Sequence, residues 1–325
     1  AGRSRRAAGA GARAALPRAP PSSPVTTLAL VLVQAMFASL AVLGRIILPV
    51  VPAGVLVTFR IVGAAAALLA FNAIRGGPWL SEPKLLARIA LAGLLGVTAN
   101  QTLFLLGLRH TTAVNATILV TTVPVFTVLG SLLLGQERPS PLKLAGIVLA
   151  ALGAVVLVDP LRLTLGPGEA LGNLLILLGM ICYASYFLVS KPIVSRHDPV
   201  TVSAYVMLFS AIGVLPIGLP SIARANLSGL SAEMWWLVGY VVVFPTILTY
   251  FLNLWALRRV SSGTVATFIY LQPLFAALTS PWVLGEAVGV RTMAAAAVIF
   301  SGLGLVILGE RARNESIPME AMPGE

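Results

Sequence analysis

Residues 115–137 read NATILVTTVPVFTVLGSLLLGQE, and residues 264–286 read TVATFIYLQPLFAALTSPWVLGE. A constant shift of 149 residues superimposes the two stretches without a gap and places Pro124 on Pro273. A shift of 146 residues aligns the beginnings of the two halves of the chain in the same way. Self-similarity of this kind indicates an internal repeat, and every further expectation about the fold starts from it.

Long apolar runs surround both stretches. The chain is 58% apolar and only 10% charged, with a mean hydropathy of +0.95, whereas soluble domains are about 25% charged. A membrane-spanning helix needs roughly 20 apolar residues. The sequence predicts ten such spans, over residues 27–48, 52–73, 86–108, 111–134, 140–158, 169–192, 199–220, 233–257, 260–284 and 289–309.

Ten spans in two repeats give each repeat five. Because five is odd, the second copy enters the membrane upside down relative to the first, which is a recurring plan of secondary transporters. We therefore expect an all-α integral membrane protein of about ten transmembrane helices in two inverted five-helix repeats. The expected organisation is a basic disordered tail over 1–26, repeats over 27–158 and 159–310, and a C-terminal tail over 311–325.

The basic residues predict the orientation of the spans. With Arg60, deep inside its span, left out, sixteen Lys and Arg residues in the tails, in the links and at the span ends lie on the side of the two termini and five on the other side, which places both termini in the cytoplasm. The expected location is a bacterial-type inner membrane, with an organelle membrane as the alternative. The N-terminal tail is read as solvated, with an Arg-rich transit peptide as the alternative. This dispersed charge does not indicate a nucleic-acid groove.

The segments 115–158 and 264–307 resemble paired EamA-type modules of the drug/metabolite transporter superfamily. Each segment has a proline within its first helix, a turn containing Gly and Glu, and a glycine-rich last helix, and these features are carried by Pro124, Gly135, Glu137, Pro273, Gly285 and Glu286. Arg60 matches a basic position that is frequent in the first repeat of such proteins, whereas its counterpart Val206 does not. The resemblance implies a ten-helix fold and the export or exchange of metabolites such as amino acids.

Polar side chains at lipid depth are costly and commonly face a cavity or another helix. Thr246, Thr249, Tyr250 and Asn253 are spaced as one face of the eighth span, and the repeat mates of Thr249 and Tyr250 are Asn100 and Gln101. The sequence predicts that such residues line a central pathway, with hydrogen bonding between helices as the alternative. The complete predicted set of solute-binding residues is Arg60, Asn100, Gln101, Asn115, Tyr183, Tyr186, Thr246, Thr249, Tyr250, Asn253 and Gln272.

Arg60, the two mid-span prolines and the glutamates of the turns each carry a prediction of their own. Arg60 lies about eight residues, or roughly 12 Å, inside its span. It would either receive a solute carboxylate or phosphate, or extend outward to the membrane surface or bind helix-end carbonyls. Pro124 and Pro273 are expected either as hinges for alternating access or as static kinks. Glu137 and Glu286 each precede a helix N-terminus, where the helix dipole favours an anion, and a structural role is predicted for both.

None of the 11 acidic residues lies deep in a predicted span. We therefore expect a transporter of small metabolites, amino acids or similar amphipathic solutes, working by alternating access through facilitated diffusion or exchange. The alternatives are a proton-coupled drug/metabolite antiporter and a lipid-headgroup flippase. An enzyme is not expected, because no nucleophile, base or metal cluster converges at membrane depth. The expected partners are a small-molecule solute and the lipid bilayer, with no cofactor and no metal; the sequence leaves the oligomeric state open.

Overall fold

The computed structural model describes residues 23–111, 113–137, 140–158, 167–284 and 290–315, and every regular element in these ranges is helical. Ten helical spans follow one another. Their bounds are α1 Pro24–Ile47, α2 Ala53–Ile74, α3 Pro83–Leu108, α4 Ala113–Val120 with Val123–Leu133, α5 Pro141–Val158, α6 Pro167–Val194, α7 Pro199–Arg224, α8 Ala232–Arg259, α9 Ser262–Thr267 with Phe268–Tyr270 and Leu271–Leu284, and α10 Val290–Glu315.

Eight of these spans contain an apolar helix long enough to cross a membrane, counted over the described ranges. The apolar part of α5 is shorter, Pro141–Val156, and α9 is interrupted by a turn of 3₁₀-helix. The prediction of an all-α membrane protein with about ten helices in two repeats is confirmed, and the chain is a multi-pass membrane protein.

Local sequence explains where many of the helices begin. Ser23, Asp198, Ser231 and Ser261 stand directly before α1, α7, α8 and α9, and each side chain accepts a hydrogen bond from the backbone N–H three residues further on. These side chains satisfy donors that a helix N-terminus leaves free. Proline is the first residue of α1, α3, α5, α6 and α7, where its missing N–H costs no helical hydrogen bond.

The backbone irregularities of the two repeats match. Helices α3 and α8 each contain one π-helical segment, at Leu94–Ala99 and Val243–Leu248, and the same shift of 149 residues relates the two. Helix α4 is interrupted at residues 121–122, and α9 has its 3₁₀ turn at Phe268–Tyr270, close to the corresponding place. The apolar pattern of the sequence did not predict the π-helical segments, which are rare and are frequent at functional sites.

Corresponding helices of the two repeats pack against each other, α2 on α7 and α5 on α10. The α5–α10 contact is close because it is lined by glycine. A Cβ atom at Gly302 would lie 2.4 Å from the backbone N of Ala150, and one at Gly153 would lie 2.9 Å from the backbone N of Ile299. Small residues allow such backbone contact between helices in a membrane.

The expected domain boundaries fall partly outside the described ranges. Residues 1–22 of the expected N-terminal tail and 316–325 of the expected C-terminal tail are not described, and neither is the 159–166 link between the repeats. Helix α1 begins at Pro24 and α10 ends at Glu315, so helix extends into both segments assigned to the tails. Glu286, which the repeat aligns with Glu137, also lies outside the described residues.

Candidate functional site

Tyr250 of α8 is the centre of a buried cluster that contains side chains from both repeats. It is only 2% exposed. Its ring stands edge-on to Phe37 of α1 and Tyr186 of α6, with ring centroids 6.2 and 6.3 Å away. Its hydroxyl lies near the Gln101 side chain and near the Arg60 guanidinium, with which it interacts electrostatically. We call these residues, with Tyr183 and Thr246, the Tyr250 cluster.

Arg60 lies in the interior of α2 and is 5% exposed. Its Nε donates a hydrogen bond of 3.0 Å to the Thr246 hydroxyl, and that hydroxyl donates to the carbonyl oxygen of Val241, five residues back in the chain. The contact forms where α8 is π-helical. Among the described residues Thr246 is the one hydrogen-bond acceptor of Arg60, which leaves the other nitrogens of the guanidinium for a further acceptor.

Two further tyrosines on α6 extend the cluster. The rings of Tyr183 and Tyr186 stack at 5.8 Å with an angle of 13° between their planes. Gly96, in the π-helical segment of α3, makes room for Tyr186, because a Cβ there would lie 2.4 Å from the ring. The buried Tyr186 hydroxyl has no hydrogen-bond partner among the described residues. An unpartnered buried hydroxyl is costly, and a bound solute would satisfy it.

Two residues related by the repeat meet at this place. Gln101 and Tyr250 occupy equivalent positions of α3 and α8, and their side chains lie near each other. Each follows the π-helical segment of its own repeat by two residues. The cluster is therefore centred where the two inverted repeats come together, which is where secondary transporters bind their solutes.

Other predicted site residues have different partners. The Asn100 amide donates a 2.9 Å hydrogen bond to the Gly179 carbonyl of α6, which is a bond between helices. Asn115, near the N-terminal end of α4, donates to the side-chain oxygens of Thr111 and Asn173. Both side chains thus make hydrogen bonds between helices, which is the alternative that the sequence left open for buried polar residues.

The remaining predicted residues lie on α8 and α9. Gln272 donates a 2.8 Å hydrogen bond to the buried Gln34 of α1, and the Thr249 hydroxyl donates to the Thr246 carbonyl of its own helix. Asn253 is 1% exposed, and its Oδ1 accepts no hydrogen bond from the described residues. The hydroxyl of Ser190, one turn after Tyr186, is likewise unpartnered in the described part of the chain.

The two prolines begin the second halves of their spans rather than bending continuous helices. Pro124 is the second residue of Val123–Leu133, and Pro273 is the third residue of Leu271–Leu284. Each follows directly on a short segment where the α-helical hydrogen bonds are already interrupted. Their expected role as hinges stays a prediction.

A buried charge cluster lies at one end of the bundle, and the sequence did not predict it. The Lys143 ammonium of α5 forms ion pairs with the carboxylates of Glu137 and Glu310, the second at 3.3 Å, and donates a 2.6 Å hydrogen bond to the Ser261 hydroxyl. The side chains of all three charged residues are at most 6% exposed. We call Lys143, Glu137, Glu310 and Ser261 the Lys143 cluster.

This cluster ties the two repeats together. Glu137 and Lys143 belong to the first repeat, whereas Ser261 and Glu310 belong to the second. Glu310 accepts from both the backbone N–H and the hydroxyl of Ser261, and Glu137 accepts a 2.9 Å hydrogen bond from the N–H of Gly263. Glu137 therefore contacts the start of α9 in the other repeat as well as Lys143 in the first turn of α5, the helix at which the sequence had placed it.

Further polar contacts lie at the same end of the bundle. The Lys191 ammonium donates to the carbonyl oxygens of Leu257 and Val260. Arg75, after α2, pairs with Asp198, before α7. Partial burial by itself raises the pKa of the Asp198 carboxyl, but the N–H of Thr201 and the Arg75 guanidinium outweigh it and hold this pKa below its ordinary value.

The opposite end contains a cavity of about 350 Å³ between α2, α3 and α7. Its walls are mainly apolar and include Leu48, Val57, Leu105 and Ile217, with Arg109 at the end of α3. Arg109 is exposed. The two ends therefore differ in chemistry, since one is joined by buried ion pairs and the other opens into an apolar space.

Comparison with known proteins gives one consistent picture. The model of the EamA-like transporter family matches residues 25–159 and again 170–308. The chain is 29% identical over 212 residues to an uncharacterized transporter of Archaeoglobus fulgidus, covering 65% of this chain and 70% of that protein. It is also 29% identical over 264 residues to the uncharacterized inner membrane transporter YedA of Escherichia coli, covering 81% and 82%.

More distant similarities reach plants and solved structures. A WAT1-related protein of Arabidopsis thaliana is 25% identical over 254 residues, covering 69% of this chain and 70% of its own. A solved crystal structure superimposes with a TM-score of 0.73 at 19% identity, covering 88% of this chain and 98% of the other. That likeness is one of fold.

Proposed function

The chain belongs to the EamA-like transporter family and is a membrane transporter, and from this premise we propose that it carries small amphipathic metabolites, such as amino acids, by alternating access. The observation that carries the proposal is the Tyr250 cluster. It combines aromatic surface, a cation and unpartnered hydrogen-bonding groups, and it draws these from both repeats. Such a mixture suits a solute with an apolar body and polar ends.

The two ends of the bundle support an alternating mechanism. The Lys143 cluster holds the repeats together at one end, whereas a cavity opens at the other. In the opposite state of the cycle we expect the Lys143 cluster to separate and the cavity to close. The helix interruptions next to Pro124 and Pro273 are suitable hinges, because bending there breaks few hydrogen bonds.

The proposed energetics are facilitated diffusion or exchange, in the direction of export. None of the described side chains in contact with Arg60 or Tyr250 is a carboxylate, so the solute site itself offers no ordinary proton carrier. One observation favours proton-coupled antiport as a second candidate, namely the burial of Glu137 and Glu310. The mostly apolar cavity with Arg109 at its edge is the observation that favours a lipid-headgroup flippase.

The proposed location is an inner membrane of bacterial type, with both termini in the cytoplasm. The support is the excess of Lys and Arg on the side of the termini. In this orientation the Lys143 cluster lies at the cytoplasmic end and the cavity at the outer end.

Counterflow in proteoliposomes tests the proposal. Vesicles loaded with unlabelled amino acids or other small metabolites are placed in a solution of the same compounds in labelled form, with and without a pH gradient. Accumulation of one solute class without the gradient is the expected result. Accumulation only with the gradient would replace facilitated transport by proton coupling, and transport of lipid analogues alone would favour the flippase.

The Tyr250→Ala variant assigns the transport to the site. We expect its rate to fall at least about tenfold, because the ring contacts Phe37 and Tyr186 and the hydroxyl contacts Gln101. Tyr240→Ala is the matched control, since Tyr240 lies on the same helix but is packed on Phe244 and bonded to Ser39 at an exposed position. Equal rates in both variants would contradict the site.

A further inference from the structure

We propose that Arg60 binds a carboxylate of the transported solute, so that the substrates are small organic acids, including amino acids, with a flat apolar body. The inference rests on the proposed function and adds to it the chemical class of the solute and its orientation in the site. It follows from the surroundings of Arg60, from the neighbouring aromatic rings and from the asymmetry of the two repeats.

Arg60 has no counter-ion among the described residues. A charged guanidinium at lipid depth is expensive unless an anion or several acceptors neutralise it. Arg60 is 5% exposed, and the Thr246 hydroxyl is the one hydrogen-bond acceptor that the described residues offer it. Its other close polar neighbour, the Tyr250 hydroxyl, is neutral in its ordinary form. No described carboxylate forms an ion pair with it.

Lys143 is also a buried cation, and its surroundings differ from those of Arg60. The Lys143 ammonium is also buried, but it is paired with two carboxylates and a hydroxyl. That charge is neutralised by the protein itself, as buried charges usually are. Arg60 lacks such neutralisation, so a mobile anion is the group that fits.

The geometry of the guanidinium suits a carboxylate. The Nε–H is directed to Thr246 at 3.0 Å, which fixes the plane of the group and leaves its two terminal nitrogens. A guanidinium binds a carboxylate by two parallel hydrogen bonds, and a fixed plane makes this pairing directional. Thr246 is thus a positioning residue for Arg60.

The neighbouring rings define the remainder of the solute. The stacked pair Tyr183 and Tyr186 lies next to Tyr250, so a flat apolar group would find aromatic surfaces beside the anion site. Two buried groups that have no hydrogen-bond partner among the described residues, the Tyr186 hydroxyl and the Asn253 Oδ1, are available for polar atoms of the solute. Asn253 is seven residues beyond Thr246 on α8, which corresponds to about 10 Å.

Only the first repeat supplies the cation. The position equivalent to Arg60 in the second repeat is Val206, which is fully buried. A site with one cation between two inverted repeats holds an acid in a single orientation, because the carboxylate has one place to bind. The orientation of the solute is thus set by Arg60 alone, because the backbone around the site is nearly symmetric.

A panel of four related solutes tests the inference by counterflow with the full-length protein. The panel contains L-phenylalanine, its amide, 3-phenylpropionate and phenethylamine, which share the ring and differ in the carboxylate and the amine. We expect wild type to transport the two carboxylates at least about tenfold faster than the two others. In Arg60→Gln this preference should vanish, and in Arg60→Lys a part of it should remain, because the charge stays but the paired hydrogen bonds do not.

Each outcome decides a different point. Transport of all four solutes without a preference for carboxylates would overturn the role of Arg60 and leave the proposed function standing. A preference that persists in Arg60→Gln would do the same. Failure of folded wild type to transport any member would overturn both. If Arg60→Gln does not fold, as judged by gel filtration and thermal unfolding, Thr246→Val decides in its place. It keeps the charge but frees the guanidinium, and we expect the carboxylate preference to fall at least about threefold, whereas an undiminished preference would overturn the proposed geometry.

Discussion

The two repeats share their backbone irregularities but differ in their side chains. Both have a π-helical segment at the same position of the third helix and an interruption in the fourth. Yet Arg60 in the first repeat corresponds to Val206 in the second, and Gln101 corresponds to Tyr250. Backbone geometry is therefore duplicated, whereas the chemistry of the site is not.

This difference separates two requirements of a transporter. Exchange between two states needs equivalent bending points in both repeats, which the matched interruptions supply. Recognition of one solute in one orientation needs different groups on the two sides, which the unmatched side chains supply. The following three variants test where the repeats are held together, where their backbones have to match and where contacts contribute little.

The largest expected effect belongs to Lys143→Met, which removes the ammonium that the buried carboxylates of Glu137 and Glu310 share. Removing one partner of a buried ion pair costs about 3–5 kcal/mol. We expect a large fall in the thermal unfolding midpoint of the protein in detergent. Adding Glu137→Gln to Lys143→Met should restore a part of the loss, because one uncompensated charge is removed.

Lys84→Met is the control for this variant, since Lys84 is an exposed lysine at the start of α3. Its unfolding midpoint should match that of wild type. If Lys143→Met were as stable as Lys84→Met, the Lys143 cluster would not hold the repeats together.

A smaller loss of stability but a strong effect on transport is expected for Gly96→Ala. The new Cβ would lie 2.4 Å from the Tyr186 ring, so the ring has to move, at a cost of about 1–3 kcal/mol. Counterflow should fall about tenfold or more. Gly239→Ala in α8, where a Cβ meets nothing within 4 Å, should transport normally. Normal transport by Gly96→Ala as well would show that the position of Tyr186 is unimportant.

The smallest effect is expected for Asp198→Asn. The pair of Asp198 with Arg75 is about one-third exposed, so its contribution is at most about 1 kcal/mol. Because the folded pKa of Asp198 is lowered, the contribution is complete above the ordinary Asp pKa and disappears as the pH falls through the lowered value. Unfolding midpoints of wild type and variant should differ at neutral pH and converge in acid; a constant difference would contradict this.

The sequence predicted the fold because the signals for it are periodic and repeated. Ten apolar runs and two constant shifts, of 149 and 146 residues, sufficed for the helices, the repeats and their inversion. The outer bounds of α4 and α9 were close to the predicted ones, but the interruption inside each was not predicted, because an apolar run does not reveal a broken helix within it. The π-helical segments were not predicted for the same reason, since they change the backbone register and leave the apolar pattern intact.

The site was predicted as a set of residue types but not as a set of contacts. Polar residues at lipid depth pointed to both Asn100 and Gln101. Successive residues of a helix point about 100° apart. Asn100 therefore bonds to the Gly179 carbonyl, whereas the Gln101 side chain lies near Tyr250. The Lys143 cluster could not be predicted, because its members come from four separate links and helix ends that only the fold brings together.

The glycine-lined contact of α5 with α10 has the form of a symmetric dimer interface. Gly153 packs on Ala295 and Ile299, and Gly302 packs on Gly146 and Ala150; the shift of 149 residues converts each contact into the other. An interface that equals its own reverse is what two identical subunits form about a twofold axis. A single five-helix half would therefore find in an inverted copy of itself a partner of the right shape, so the present chain has the architecture of two antiparallel subunits joined into one polypeptide.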